Sequence, residues 1–154
     1  MSSNSLRSSI YRSATSALRR YRGSCFCGLI QFECNPPVRA PVCHCLSCQS
    51  LHGAPFVWSV VLEKDSFHFL QGAESIHKFG VRYTCSRCHG KLVDEGDKYF
   101  YSFPSVFRFP SGRVPECFLP THHCFYPQRL MDIHDDRPKF VAKWGSTRWT
   151  EGDD

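Results

Sequence analysis

From Tyr21 onward the apolar positions either alternate with polar ones or run in short blocks, and both patterns are those of β-strands. LIQFEC (29–34) alternates Ile30, Phe32 and Cys34 against Gln31 and Glu33. FVWSVVL (56–62) is nearly continuous and β-branched, as in a strand buried on both faces. FHFL (67–70) alternates again, KYFYSF (98–103) is aromatic and strand-like, and FVAKW (140–144) reads as a last strand. LSCQSL (46–51) is the one stretch with the look of a short helix, closed by Gly53 and Pro55. Turns are expected at Asn35-Pro36-Pro37, Gly72, Glu95-Gly96-Asp97 and Pro110-Ser111-Gly112. The pattern predicts one mostly β domain over residues 22–150, with short helices.

Residues 1–21 form a separate extension. On a helical wheel Leu6, Ile10, Ala14, Ala17, Leu18 and Tyr21 share a face, which Arg7 interrupts. Residues 1–22 carry five Arg and no acid, so both a mitochondrial transit segment and a disordered basic tail fit. Past that point 14 basic residues balance 14 acidic ones, although the whole chain has a net charge of +5. A neutral core excludes the usual electrostatics of nucleic-acid binding, so no nucleic-acid partner is expected. No secretory signal and no apolar run of membrane-spanning length is visible, so no membrane partner is expected either. The chain is expected inside the cell, in the cytoplasm ahead of the mitochondrial matrix. There, ten cysteines in clusters favour metal over disulfides.

The spacing of those cysteines carries chemistry. Cys25-Phe-Cys27 and Cys85-Ser-Arg-Cys88 are two short knuckles that together supply four thiolates, a closed structural zinc site. Cys43, Cys45 and Cys48, in PVCHCLSCQS, supply three. Three protein ligands and an exchangeable position are the pattern of catalytic zinc, but an internal fourth ligand would make a second structural site. His44, His52, Cys117, Cys124, His122 and His123 are the candidates, with His44 expected to point away because it sits between two ligands.

YRGSCFCGLIQFEC, VCHCLSCQSLHGAPFVW, FHFLQGAESIHKF and YTCSRCHGKL, taken together, resemble the glutathione-dependent formaldehyde-activating enzyme family, which includes centromere protein V. FLPTHHCFYP and DIHDDRPKFVAKW look like the family's closing region. The resemblance implies a zinc-stabilised β-tent with two Zn2+ per chain. It implies a structural zinc on Cys25, Cys27, Cys85 and Cys88 and a catalytic zinc on Cys43, Cys45 and Cys48. The implied reaction is that of a carbon–sulfur lyase acting on a small thiol–aldehyde adduct, S-hydroxymethylglutathione or similar. The alternative is a non-catalytic zinc module for protein interaction with the Arg-rich extension as contact element. Two positions depart from the family pattern. His89 follows Cys88 where Gly is usual, and Gln49 follows Cys48 where Arg is frequent.

Four further groups have a structural and a functional reading. Lys78, Arg82, Arg87 and Lys91 are expected to be a solvated face before they are carboxylate binders. His122 and His123 are expected to be an exposed loop pair. Tyr99, Tyr101 and Phe103 are expected in the core. Cys34 is expected to be a buried core thiol.

Overall fold

In a computed structural model that describes residues 19–152, the chain is mostly β. The extension, residues 1–21, lies almost entirely outside the described residues, so the helical face read there is not described. The elements are β1 (Tyr21–Ser24), β2 (Gln31–Cys34), β3 (Pro41–Cys43), α1 (Leu46–His52), β4 (Val57–Trp58), β5 (Val60–Glu63) and β6 (His68–Gln71). They continue with β7 (Ile76–Phe79), β8 (Arg82–Cys85), β9 (Lys91–Glu95), β10 (Tyr99–Ser102) and β11 (His122–Cys124). Short 3-10 turns join several of them.

These strands build three small sheets, ordered β1-β2-β6, β5-β10-β9-β8-β7 and β11-β3-β4. All pairings are antiparallel except that of β3 with β11. The run FVWSVVL does not make one strand. Its N-terminal half is β4 and its C-terminal half is β5, in different sheets. The break falls at Ser59, whose N–H turns to the Pro41 carbonyl at 3.0 Å. The double-sided burial expected of the run holds in β5, where Val60, Val61 and Leu62 are all buried. FVAKW is not a strand either. Phe140 makes only an isolated bridge with Arg148, and the chain then bends through residues 141–145.

The core sits between the first two sheets. Phe32 stacks on Phe67 and meets Phe107 edge-on, and Phe107 meets Phe118 in the same way. Ile30, Leu62, Leu92 and Val93 complete it, with Cys34 among them as expected. Burial holds the Cys34 thiol up at about 12, so it stays protonated. The helix ends at Gly53, whose φ of 57° is the left-handed conformation that glycine adopts without a Cβ clash. No helix among the described residues is long and apolar enough to cross a membrane.

On the five-stranded sheet one carboxylate gathers three partners. Glu95 accepts from Lys78 Nζ at 2.6 Å, Tyr83 OH at 2.8 Å and Lys64 Nζ at 3.1 Å. Lys78 first, then Tyr83 and Lys64, hold its pKa down at about 2. A carboxylate depressed in the folded state contributes stability above its unfolded value and loses it on acidification. Glu95→Gln is therefore less stable than the parent at neutral pH. The gap is full above about pH 4.5 and closes as pH falls through about 2. Denaturant titrations of both proteins across that range read the gap, and a gap that ignores pH would show that the carboxylate does not hold these partners.

Candidate functional site

The two short knuckles meet as the spacing predicts. Cys25 and Cys27 lie in the turn between β1 and β2; Cys85 ends β8 and Cys88 lies in the turn that leads to β9. Their four sulfurs all lie within 4.8 Å of one another. Cys25 Sγ is 3.6 Å from Cys27 Sγ, and Cys27 Sγ is 3.8 Å from Cys85 Sγ. A tetrahedral zinc with bonds of about 2.3 Å separates its sulfurs by about 3.8 Å, so the cluster has the dimensions of a zinc site. The N–H of Ile30 points at Cys25 Sγ at 3.3 Å, and Arg87 Nε at Cys27 Sγ at 3.2 Å. The Leu29 N–H, reinforced by Arg87 against desolvation, brings the Cys27 thiol down to about 6. Donors aimed at sulfur favour the thiolate that a metal needs.

His89 stands at φ 58°, one of two non-glycine residues among those described with positive φ. The turn thus keeps the left-handed backbone that glycine would suit, and histidine bears the strain. His89→Gly is expected to raise stability by about 0.5–1 kcal/mol, the left-handed penalty less the extra chain entropy of glycine. Equilibrium unfolding of the metal-loaded protein measures it; a loss of stability would mean that the imidazole has a role of its own.

The second cluster forms where β3 runs into α1. Cys43 ends the strand, Cys45 is the N-cap of the helix, and Cys48 lies in its first turn. Their sulfurs also lie within 4.8 Å of one another. Cys45 Sγ accepts the Cys48 N–H at 3.4 Å, so the capping bond itself draws two of the ligands together. Contact among thiols holds Cys43 and Cys48 above the ordinary thiol range, chiefly through Cys124 for the first and Cys43 for the second. Thiols so crowded ionise together only against a cation, which is what a metal provides. All ten cysteines are free thiols.

His44, between two of these cysteines, points away from them as expected and is fully buried. Its Nε2 meets His123 Nδ1 at 2.9 Å, and His123 Nε2 meets Asp135 at 3.1 Å. Asp135 is bound in turn by Arg137 Nη1 at 2.8 Å and Lys139 Nζ at 3.2 Å. Burial, then His123, lowers His44 to about 4, so it is neutral at pH 7. Gln49 Nε2 donates to the carbonyls of His44 at 2.6 Å and Gln128 at 2.7 Å. Gln128 Oε1 returns a bond to the Leu46 N–H at 2.9 Å. Gln49 therefore spends its amide N–H groups on clamping the backbone.

Beside the three cysteines lies a cavity of about 420 Å³, walled by Cys43, Cys48, Cys124, His52 and His122. Tyr101, Phe103 and Trp144 also line it, so Tyr101 and Phe103 are wall residues and not the core aromatics that the sequence suggested. β10 lies within the sheet but turns Tyr101 outward, leaving it 38% exposed. Arg39 and Lys143 border the cavity and form no salt bridge among the described residues. Asp94 also borders it, but is paired with Lys91 at 2.6 Å.

The other sequence candidates fall elsewhere. His122 and His123 are buried, not an exposed pair, because β11 threads them between β3 and the bridge at Lys139. Of the basic residues around the last knuckle, Lys78 is tied to Glu95, Arg87 to Cys27, and Lys91 to Asp94. Cys117 donates to Tyr21 OH at 3.4 Å, in the core between the first two sheets. Sequence reasoning missed Arg39 and Gln128, which stand in no motif, and Lys143 and Asp135, which lie in DIHDDRPKFVAKW but were given no site role.

The family model described as glutathione-dependent formaldehyde-activating enzyme matches residues 20–126. No curated protein matches the chain. Among solved structures, a Rhodobacter sphaeroides protein studied by structural genomics matches at 18% identity and a TM-score of 0.46, over 61% of this chain and 97% of that one.

Proposed function

The chain belongs to the glutathione-dependent formaldehyde-activating enzyme family, and from that membership we propose that it joins a small thiol to an aldehyde in a zinc-dependent reaction. The adduct is S-hydroxymethylglutathione or a close relative, and the reverse direction is a carbon–sulfur lyase step. The observation that carries this reading is the three-thiol cluster, two of whose members line a cavity with aromatic walls and two cations that form no salt bridge among the described residues.

Each part of the site has a task. Cys25, Cys27, Cys85 and Cys88 hold a structural zinc, and Cys43, Cys45 and Cys48 a catalytic one. Zinc bound there supplies a positive centre that stabilises a thiolate at neutral pH and polarises a carbonyl oxygen. The thiol sulfur adds to the carbonyl carbon, and the proton it gives up ends on the former carbonyl oxygen as a hydroxyl. Tyr101, Phe103 and Trp144 exclude water from the reacting pair and hold it close, which supplies much of the acceleration. Arg39 and Lys143 meet the carboxylates of a glutathione-like thiol. Their presence answers the loss of the arginine frequent after the third cysteine, since Gln49 in that place faces the backbone.

Two measurements test this. Purified parent protein should contain two zinc ions per chain by elemental analysis, and Cys45→Ser should contain one. Serine is a favoured N-cap, so that variant keeps the helix start while losing a ligand, and its fold should survive. Its turnover should fall more than about a hundredfold, beyond the loss typical of groups outside the ligand set. A variant that unfolds, or one that keeps its turnover, would overturn the catalytic assignment.

Arg39→Gln should raise KM for the glutathione adduct about tenfold and leave kcat within about twofold, the loss of one charge-assisted hydrogen bond. An adduct of a thiol without carboxylates should show no such rise. An equal effect on both would remove Arg39 from substrate recognition.

A further inference from the structure

A tetrahedral metal at the three-cysteine cluster is one donor short. His52, His122 and Cys124 are the metal-binding side chains that border the cavity beside it, other than the cluster itself and the paired Asp94. His52 Nε2 is engaged by Lys91 Nζ at 3.2 Å, and that lysine is fixed by Asp94. His122 Nδ1 is engaged by Thr121 Oγ1 at 2.8 Å, and although its Nε2 is left for a metal, the ring is wedged against Trp144 with centroids 4.6 Å apart and stands outside the cluster. Cys124 has no comparable anchor. The parallel register of β3 and β11 sets it directly beside Cys43. It is 6% exposed, and its thiol makes a weak, long contact with the Val42 carbonyl at 3.7 Å. Its sulfur is outside the set of three that lie within 4.8 Å of one another, so it stands at the cluster's edge. A change of rotamer is the movement that would bring it in.

We infer that Cys124 is the protein's own, displaceable fourth ligand at the Cys43, Cys45 and Cys48 site, closing it at rest and yielding its place to the substrate thiol. This rests on the zinc-enzyme reading above. The exchange balances. With a metal held by Cys43, Cys45 and Cys48, Cys124 would leave as a thiol and the substrate would enter as a thiolate, the substrate S–H proton passing to the Cys124 sulfur. One thiolate replaces another, so the site's charge does not change, and no additional charge is buried in the cavity. A soft sulfur is also the donor that matches the other three.

Cadmium-113 NMR of the full chain loaded with cadmium tests the inference, because the shift reports the number of sulfur ligands. The parent should bind two cadmium ions per chain, with both resonances in the four-sulfur region. Cys124→Ala should move one resonance upfield to the three-sulfur region and leave the other in place. Added glutathione should then return it to the four-sulfur region. A parent spectrum with one four-sulfur and one three-sulfur resonance would overturn the inference and leave the enzyme reading standing. One cadmium per chain would overturn both. The parent spectrum decides the matter even if Cys124→Ala fails to fold.

Discussion

Four sulfurs hold this architecture to one shape. The strands are two to five residues long and are divided among three sheets, so no single ladder of hydrogen bonds dominates. Cys25 and Cys27 close a turn of the first sheet, and Cys85 and Cys88 close a turn of the second. A metal shared between them would turn two local turns into one junction between segments some sixty residues apart. Metal binding of that kind contributes on the order of 10 kcal/mol, comparable to the whole net stability of a domain. The apolar core begins at the same place, since Cys25 and Cys85 are fully buried members of the cluster that contains Ile30, Phe32 and Leu92.

The second cluster is held differently, by polar contacts around it. Gln49 and Gln128 exchange bonds across the start of α1, and the buried line His44–His123–Asp135 fixes the loop between β3 and the helix. The sign of the charges matters here. His44 is neutral and adds no charge of its own, while Arg137 and Lys139 both pair with Asp135, which offsets one of their two charges. Burial opposes the Asp135 carboxylate, but Arg137, His123 and Lys139 outweigh it and hold its pKa low. The loop is thereby kept rigid without surrounding the ligands with positive charge.

Much of this could be read from spacing, because metal knuckles are local. Each knuckle, Cys25 with Cys27 and Cys85 with Cys88, and the trio beside α1 follow from residues a few positions apart, and four thiolates in two knuckles suggest that the knuckles meet. Short strands with clear alternation, such as β2 and β6, were legible for the same reason. What failed depends on contacts between distant segments. FVWSVVL looks uniform, yet Ser59 bonds to Pro41 and sends its two halves to different sheets. His122 and His123 look like a polar loop pair, but their burial is set by pairing with β3, some eighty residues earlier. Arg39 has no motif and Lys143 no site role in its own, and what marks them out is the absence of a salt bridge at a cavity wall.

The segment 140–144 shows how the misread element serves the site. As a regular strand it would present alternate side chains to two faces and extend a sheet. Instead its backbone groups are satisfied piecemeal: the Phe140 carbonyl accepts from Tyr126, that of Ala142 from Phe125, and the Val141 N–H donates to Thr147. Freed from a ladder, the chain curls and places consecutive residues, Lys143 and Trp144, at the same cavity. Trp144 packs on His122 and Phe140, which fixes the wall. Lys143 remains at its rim, exposed to solvent and in no ion pair among the described residues. An irregular stretch can thus put an apolar wall and a free cation side by side, which alternation in a strand forbids. Such a pairing would suit the small anionic thiol proposed as substrate, with the charge held at the rim and the apolar wall beside it.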